Sequence, residues 1–391
     1  MTETAQVTSQ PLTREILEQW ATDPAGPVAL ALRQVLLPVE DPIDHPVVFP
    51  PTYAGIGYNI DDLADGTKVA LIDSVGSQAN RLEPLFVCAS DDRNAWLVPQ
   101  IRIRLPEQPC GTCEGCLAGG KSKDCKQPRR PVRHLLDLAH RGADAVVHAT
   151  PGLSDLATKA FLALRQKGDA GPLTALAPTS LVFGVWDSRG LSAEKRPRLV
   201  RAVIRAWDVD ELTTSAQYNS VWKDLGEEQK EELTKEANKR KKKLSIVGLK
   251  DAPATNLGGI HVRGDIVRNV TVNLVALRGL RGEDTQATRE ITRYLLGLTL
   301  TAATAEIDLY LREGCHLRYG EEDTWTIVPR RGAPIPVDLS SEPARCLVED
   351  FTRDAAEPFR SGWPETLTFD FDMAAAKKLL SKKLADDDPE G

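Results

Sequence analysis

Read by periodicity, the chain mixes short apolar runs with amphipathic stretches. Residues 12–21 (LTREILEQWA) carry apolar positions at helical spacing with Thr13 near their start, which predicts a short helix. Residues 28–39 (VALALRQVLLPV) predict a mostly buried strand closed by prolines. A strand is expected at 69–75 (VALIDSV), broken by Gly76 and Ser77 before a helix or tight turn at 78–86. Residues 95–105 (AWLVPQIRIRL) end in a period-two pattern, so their arginines face outward from a half-buried strand. Helices are predicted at 132–141 and 153–167 with a strand at 143–149 between them. Residues 180–186 and 199–207 read as paired strands joined by a polar loop, a finger that starts at Asp187. Residues 224–244 form a polar helix, acidic at its front and basic at its rear, as the helix dipole favours. A strand follows at 266–275, then one long helix over 286–312 whose apolar half is deeply buried.

Strands and helices do not alternate with the regularity of a doubly wound sheet, so the pattern points to an α+β fold. A chain of 391 residues, 41% hydrophobic and 27% charged, can bury a sizeable core. No apolar run reaches the roughly 20 residues of a membrane-spanning helix, and the first residues lack a basic segment followed by an apolar one. The expectation is a cytoplasmic protein that engages no membrane. The formal net charge of −7 excludes indiscriminate coating of nucleic acid but allows a local basic groove. Basic residues cluster at 126–133, 195–205, 239–243 and 263–281.

Cys110, Cys113, Cys116 and Cys125 are spaced C-x2-C-x2-C-x8-C among several glycines. Four thiolates at this spacing suit a closed structural zinc site with no open position for catalysis. An iron–sulfur cluster fits less well, since its usual spacing brings the fourth cysteine closer and adds a proline. The spacing also resembles the structural zinc lobe of medium-chain alcohol dehydrogenases. No GxGxxG fingerprint accompanies it, which disfavours a zinc-containing dehydrogenase. The six histidines are scattered, a P-loop is absent, and GxSxG is not met at Ser74 to Ser77. Asp61 and Asp62 sit in a Gly- and Asp-rich loop, where carboxylates commonly form turns.

Polar donors follow the strand at 69–75. Ser77, Gln78, Asn80 and Arg81 can meet phosphate and ribose oxygens, or simply cap a turn. Arg263 and Arg268 flank Gly264 and either approach a phosphate or form surface salt bridges. Lys195, Arg196, Arg198, Arg201 and Arg205 lie in a run whose alternation sets some of them on one strand face, where a nucleic-acid strand or only solvent would lie. Arg189 belongs to the finger.

Residues 49–58 (FPPTYAGIGY), 72–86 (IDSVGSQANRLEPLF), 180–190 (SLVFGVWDSRG), 205–218 (RAWDVDELTTSAQY) and 257–268 (LGGIHVRGDIVR) together resemble the backbone subunit of the type I-G CRISPR effector complex, formerly type I-U. That subunit is a member of the repeat-associated RNA-binding superfamily. The similarity spans most of residues 28–300. It implies a core like an RNA-recognition motif, a ferredoxin-like antiparallel sheet with helical and loop insertions. It also implies several copies stacked along one guide RNA, reading shape and charge, with a finger that interrupts base pairing at intervals. Expected partners are the guide RNA, target DNA within the complex, further copies of the chain, other effector subunits and a recruited helicase–nuclease. No catalysis is expected of the chain itself; the alternative within the same superfamily is a metal-dependent ribonuclease. The expected organisation is a helix at 1–27, a core at 28–340 interrupted by the four-cysteine lobe at 110–125 and a charged helical insertion at 221–250, and an extension at 341–391.

Overall fold

The computed structural model describes residues 10–41, 44–113, 116, 125–187, 193–216, 221–240, 242, 244, 249 and 254–386. Helix α1 (Arg14–Thr22) begins where the Thr13 hydroxyl accepts from the Ile16 amide, and its apolar positions bury Leu17, Trp20 and Ala21. Strand β1 (Ala29–Pro38) turns Leu30, Leu32, Gln34 and Leu36 inward and leaves Arg33 outside. The chain then forms β2 (Ile60–Asp62), β3 (Lys68–Asp73) and helix α2 (Val75–Leu82), whose first turn is capped by the Ser74 hydroxyl. After the cysteine lobe come α3 (Leu153–Lys167), β4 (Val200–Trp207), β5 (Val209–Ala216), α4 (Glu227–Lys239), β6 (Ala254–Val262) and β7 (Ile266–Asn273). The last part holds α5 (Thr285–Thr304), β8 (Tyr310–Arg312), β9 (Cys315–Val328) and α6 (Glu342–Arg360).

One curled sheet organises the fold, in the order β8-β9-β1-β7-β4-β3-β2, with antiparallel neighbours throughout. Its four long central strands, β1, β4, β7 and β9 in chain order, lie in the spatial order fourth, first, third, second. A single row of residues crosses it in register: Asp323 opposite Gln34, Gln34 opposite Arg268, Arg268 opposite Ile204 and Ile204 opposite Asp73. Helices α2 and α5 cover the face on which this row lies. Helix α6 packs along α5, where Gly297 sits so close to Thr352 that a Cβ would come within 2.7 Å of the threonine hydroxyl. Residues 342–360 therefore share the main core through Val348, Phe351 and Ala355. Strands β4 and β7 run on as the β5–β6 ribbon, which bends at Asp208 (φ 53°) and carries α4 near its end. Helix α4 has no buried residue.

Several local expectations are overturned. Residues 132–141 form no α-helix: Val132–His134 pairs with Arg102–Arg104, and a 3₁₀ turn follows at Leu135–Asp137, because Pro128 and Pro131 favour extended backbone before it. The expected strand at 143–149 is a helical turn, Ala145–His148, nucleated by the Asp144 side chain accepting from the Val146 amide. Thr179–Val182 is helical and fully buried. Val185–Trp186 pairs with Lys195–Arg196 instead of with β4, since Gly184 at φ 79° turns the chain away. The long helix stops at Thr304, and Tyr310–Arg312 returns as a strand through the turn at Gly314 (φ 71°). Asp187 follows Val185–Trp186, and the finger expected after it, including Arg189, lies largely outside the described residues.

A buried ion pair fixes the segment after the lobe. Arg141, at φ 55°, reaches Glu83 at 2.7 Å and lies over the Phe183 ring. Burial pushes the Glu83 carboxyl up to about 7, against the pull of Arg141 and Thr179. Its folded pKa then exceeds the unfolded value, so its stabilising effect is complete below about pH 4.5 and is lost as pH rises through about 7. Thermal unfolding of the wild type and Glu83→Gln across this window should show the wild type losing roughly 3 kcal/mol relative to the variant.

Candidate nucleic-acid interface and metal centre

The two faces of the sheet differ in chemistry. On the helix-covered face, Asp73 accepts from Gln78 Nε2 at 2.7 Å and Arg81 Nε at 3.2 Å, and Arg312 lies 3.5 Å away. Gln78 in turn accepts from Arg268 Nε at 3.1 Å, and Arg268 Nη1 donates to Gln34 at 3.2 Å. Gln34 donates to Asp323, which also accepts from the Ser340 hydroxyl. Arg268 is only 1% exposed, and burial lowers its pKa against the pull of Tyr319 and Asp323. The expectation that Gln78 and Arg268 reach a ligand phosphate is therefore corrected: both side chains are buried in a network inside the protein. Arg81 is mostly buried too, held by Asp73 and by the Leu311 carbonyl at 2.9 Å, so the acceptors its sequence neighbours lacked come from other strands.

The remaining candidates are at the surface with varied commitments. Arg263 bridges Asp208 at 2.6 Å and also Asp210, clamping the bend of the ribbon, which raises its own pKa and lowers that of Asp208. Arg196 pairs with Glu194 at 2.7 Å, and Lys195 lies over the Trp186 ring. Arg198 and Asn80 are exposed, and Ser77 sits half-buried in the first turn of α2. These residues do not converge on one site.

The uncovered face does converge. In one row Thr326, Ala31, Thr271 and Arg201 lie side by side, and in the next Thr324, Arg33, Asn269 and Val203. A third row places Val35, Val267, Arg205 and Leu71 together. Trp207 stands 38% exposed at the end of β4. Arg33 is paired with Asp265, whereas the Arg201 and Arg205 side chains have no partner among the described residues. Both arginines sit in the basic run singled out by sequence. Arg33, Asn269, Thr271 and Trp207 were missed, although one arginine inside ALALRQVLL and the alternation of VRNVTVN mark positions that point away from an apolar core.

The cysteine cluster stands apart, next to the small sheet formed by Arg102–Arg104, Val132–His134 and Thr368–Asp370. The Sγ atoms of Cys110, Cys113, Cys116 and Cys125 lie within 4.8 Å of one another, with 3.3 Å between Cys113 and Cys116, 3.7 Å between Cys113 and Cys125 and 3.8 Å between Cys110 and Cys116. Zinc–sulfur bonds of about 2.3 Å in a tetrahedron require sulfur–sulfur edges of about 3.8 Å, so these residues could hold zinc. Backbone amides of Cys110 and Cys113 donate to the sulfurs of Cys125 and Cys110, each at 3.3 Å. Donation from the Thr112 hydroxyl and nearby amides pulls the Cys110 thiol down to about 5, and amides of Lys126 and Cys116 lower Cys113. Desolvation pushes Cys116 up to about 12. A bound divalent cation supplies the charge that lets all four act as thiolates. Elemental analysis of the purified chain should find stoichiometric metal that Cys113→Ser releases, with a fall in the unfolding temperature; retention of full metal content by the variant would remove Cys113 from the ligand set.

Among the described residues no helix is long and apolar enough to cross a membrane. No curated protein matches the chain. Residues 30–211, which carry β1, the cysteine lobe, β4 and the start of the ribbon, match the model of a family described as CRISPR-associated protein GSU0053. Over residues 30–211 the chain is thus similar to a CRISPR-associated protein family.

Proposed function

We propose that the chain is a non-catalytic subunit that grips the sugar–phosphate backbone of a guide RNA, in several copies along it, within a cytoplasmic DNA-targeting CRISPR complex of type I-G. The observation that carries this reading is the uncovered sheet face with two guanidiniums, Arg201 and Arg205, that have no partner among the described residues, beside an exposed Trp207. The central strand order of fourth, first, third, second is also that of an RNA-recognition motif, which supports the same reading.

Guanidiniums bind phosphate oxygens in a fork geometry, and Trp207 offers a surface on which a base can stack. Thr271, Asn269 and Thr324 supply hydroxyl and amide groups suited to ribose 2′-hydroxyls. None of these groups reads a base edge by a fixed donor pattern, so the grip is independent of guide sequence. Other effector subunits and a separate helicase–nuclease then act on the target DNA.

Replacing Arg201 and Arg205 together with alanine should weaken binding of single-stranded RNA by about a hundredfold, at roughly 1.5 kcal/mol per lost charged contact. The slope of log affinity against log salt should fall by about 1.4, for two phosphate contacts on a single strand. Unchanged affinity and slope, in a variant with unchanged thermal stability, would remove this face from the RNA path.

A further inference from the structure

We infer that Asp265 determines the preference of the uncovered face for RNA over DNA, its carboxylate accepting a hydrogen bond from a ribose 2′-hydroxyl. The inference rests on the guide-RNA reading and names the residue that makes that grip specific for the sugar. Asp265 immediately precedes β7, and the Trp207 amide donates to its carbonyl at 3.0 Å, which sets the two residues side by side at one end of the face. Its side chain lies on the uncovered side, because it meets Arg33 there. Arg33 stands opposite Asn269, so its stem runs along β7 past Val267, which is only 4% exposed.

The carboxylate is held but not saturated. Arg33 Nη2 donates to Oδ2, Oδ1 accepts from no donor among the described residues, and the side chain is 53% exposed. The other acids of this corner are engaged or stand further off. Asp208 receives Arg263 on both oxygens, at 2.6 and 3.2 Å, and Asp210 receives Arg263 as well. Glu211 lies further along β5. Asp61, on β2, is three strands away, and Glu321, at the irregularity of β9, is two strands away on the other side.

An ionised carboxylate offers only acceptors, and beside phosphates it is repelled unless a donor meets it. The sugar–phosphate backbone of DNA carries no donor, whereas that of RNA carries one, the 2′-hydroxyl. Asn269, Thr271 and Thr324 do not discriminate in this way, since an amide or hydroxyl can donate to the phosphates of either nucleic acid. A base stacked on Trp207 carries its ribose directly on it, which brings the 2′-hydroxyl towards the neighbouring strand, where side chains on one face stand about 5 Å apart. Base edges also carry N–H donors, but these differ between bases, and a grip independent of sequence uses the group common to every nucleotide. In a complex that holds guide RNA and target DNA together, the sugar tells the two kinds of strand apart.

The test titrates the full chain with single-stranded oligouridine and oligocytidine and with their 2′-fluoro and 2′-deoxy counterparts, which lack the donor. The wild type should prefer each RNA over both counterparts by about tenfold or more, the value of one hydrogen bond to a charged acceptor. Asp265→Ala should remove about tenfold of that preference, equally in the uridine and cytidine series. Asp265→Asn, which keeps a carbonyl acceptor, should retain part of it. The unfolding temperature of both variants should match the wild type, since an exposed ion pair adds little. Alanine also releases Arg33 from this pair, so the readout is the ratio of affinities and not their absolute values. An unchanged ratio with all affinities raised together would assign Asp265 only to neutralising Arg33 and overturn the inference, as would a loss confined to one base. Arg201→Ala/Arg205→Ala should weaken all probes by a common factor and leave the ratio as it is. A wild type that binds no probe would sink the guide-RNA reading and this inference with it, whereas equal binding of all probes would sink the inference alone.

Discussion

A guanidinium buried at the centre of the sheet is the constraint around which the rest of the protein is arranged. Arg268 is taken from water almost completely, and a charge so placed must be met by hydrogen-bond acceptors or the fold does not stand. Gln34 from β1 and Gln78 from α2 supply them, and each glutamine uses its amide nitrogen to reach a carboxylate, Asp323 in one direction and Asp73 in the other. The row thereby ties four strands and one helix into a single register. A one-residue slip of β7 would turn Arg268 to the other face and leave the side-chain oxygens of Gln34 and Gln78 without their donor. The donors following β3 are thus spent on internal satisfaction, which leaves the uncovered face for contact with a ligand.

That division of labour explains the different behaviour of arginines that look alike in sequence. Arg81 and Arg268 are internal ties, Arg263 clamps the bend of the ribbon, and Arg201 and Arg205 have no partner among the described residues. Affinity for a polyanion comes from charges without a local counter-charge, so this pair matters more than the length of any basic run.

Much of the frame was legible from periodicity. The strands at 29–38, 200–207 and 266–273 and the helix at 153–167 follow apolar spacing alone, and the four cysteines announce their proximity by spacing. Short segments were less readable because their state is set by partners distant in sequence. Val132–His134 is a strand only because Arg102–Arg104 offers an edge, and Ala145–His148 is helical because Asp144 caps it in spite of two adjacent valines. The site was legible as composition but not as assignment. Nothing in VRAVIRAW or DIVRNVTV distinguishes an arginine that will meet Gln34 and Gln78 from one that will meet solvent; that depends on which face the helices cover.

The central claim is that this chain grips a guide RNA, and the most direct measurement is its purification after co-expression with a CRISPR repeat–spacer array and the partner effector subunits, recording particle mass and the RNA that travels with it. The account predicts a large particle that contains repeat-derived RNA of uniform length and more than one copy of the chain. An RNA-free chain recovered under the same conditions, with the partner subunits present, would contradict it.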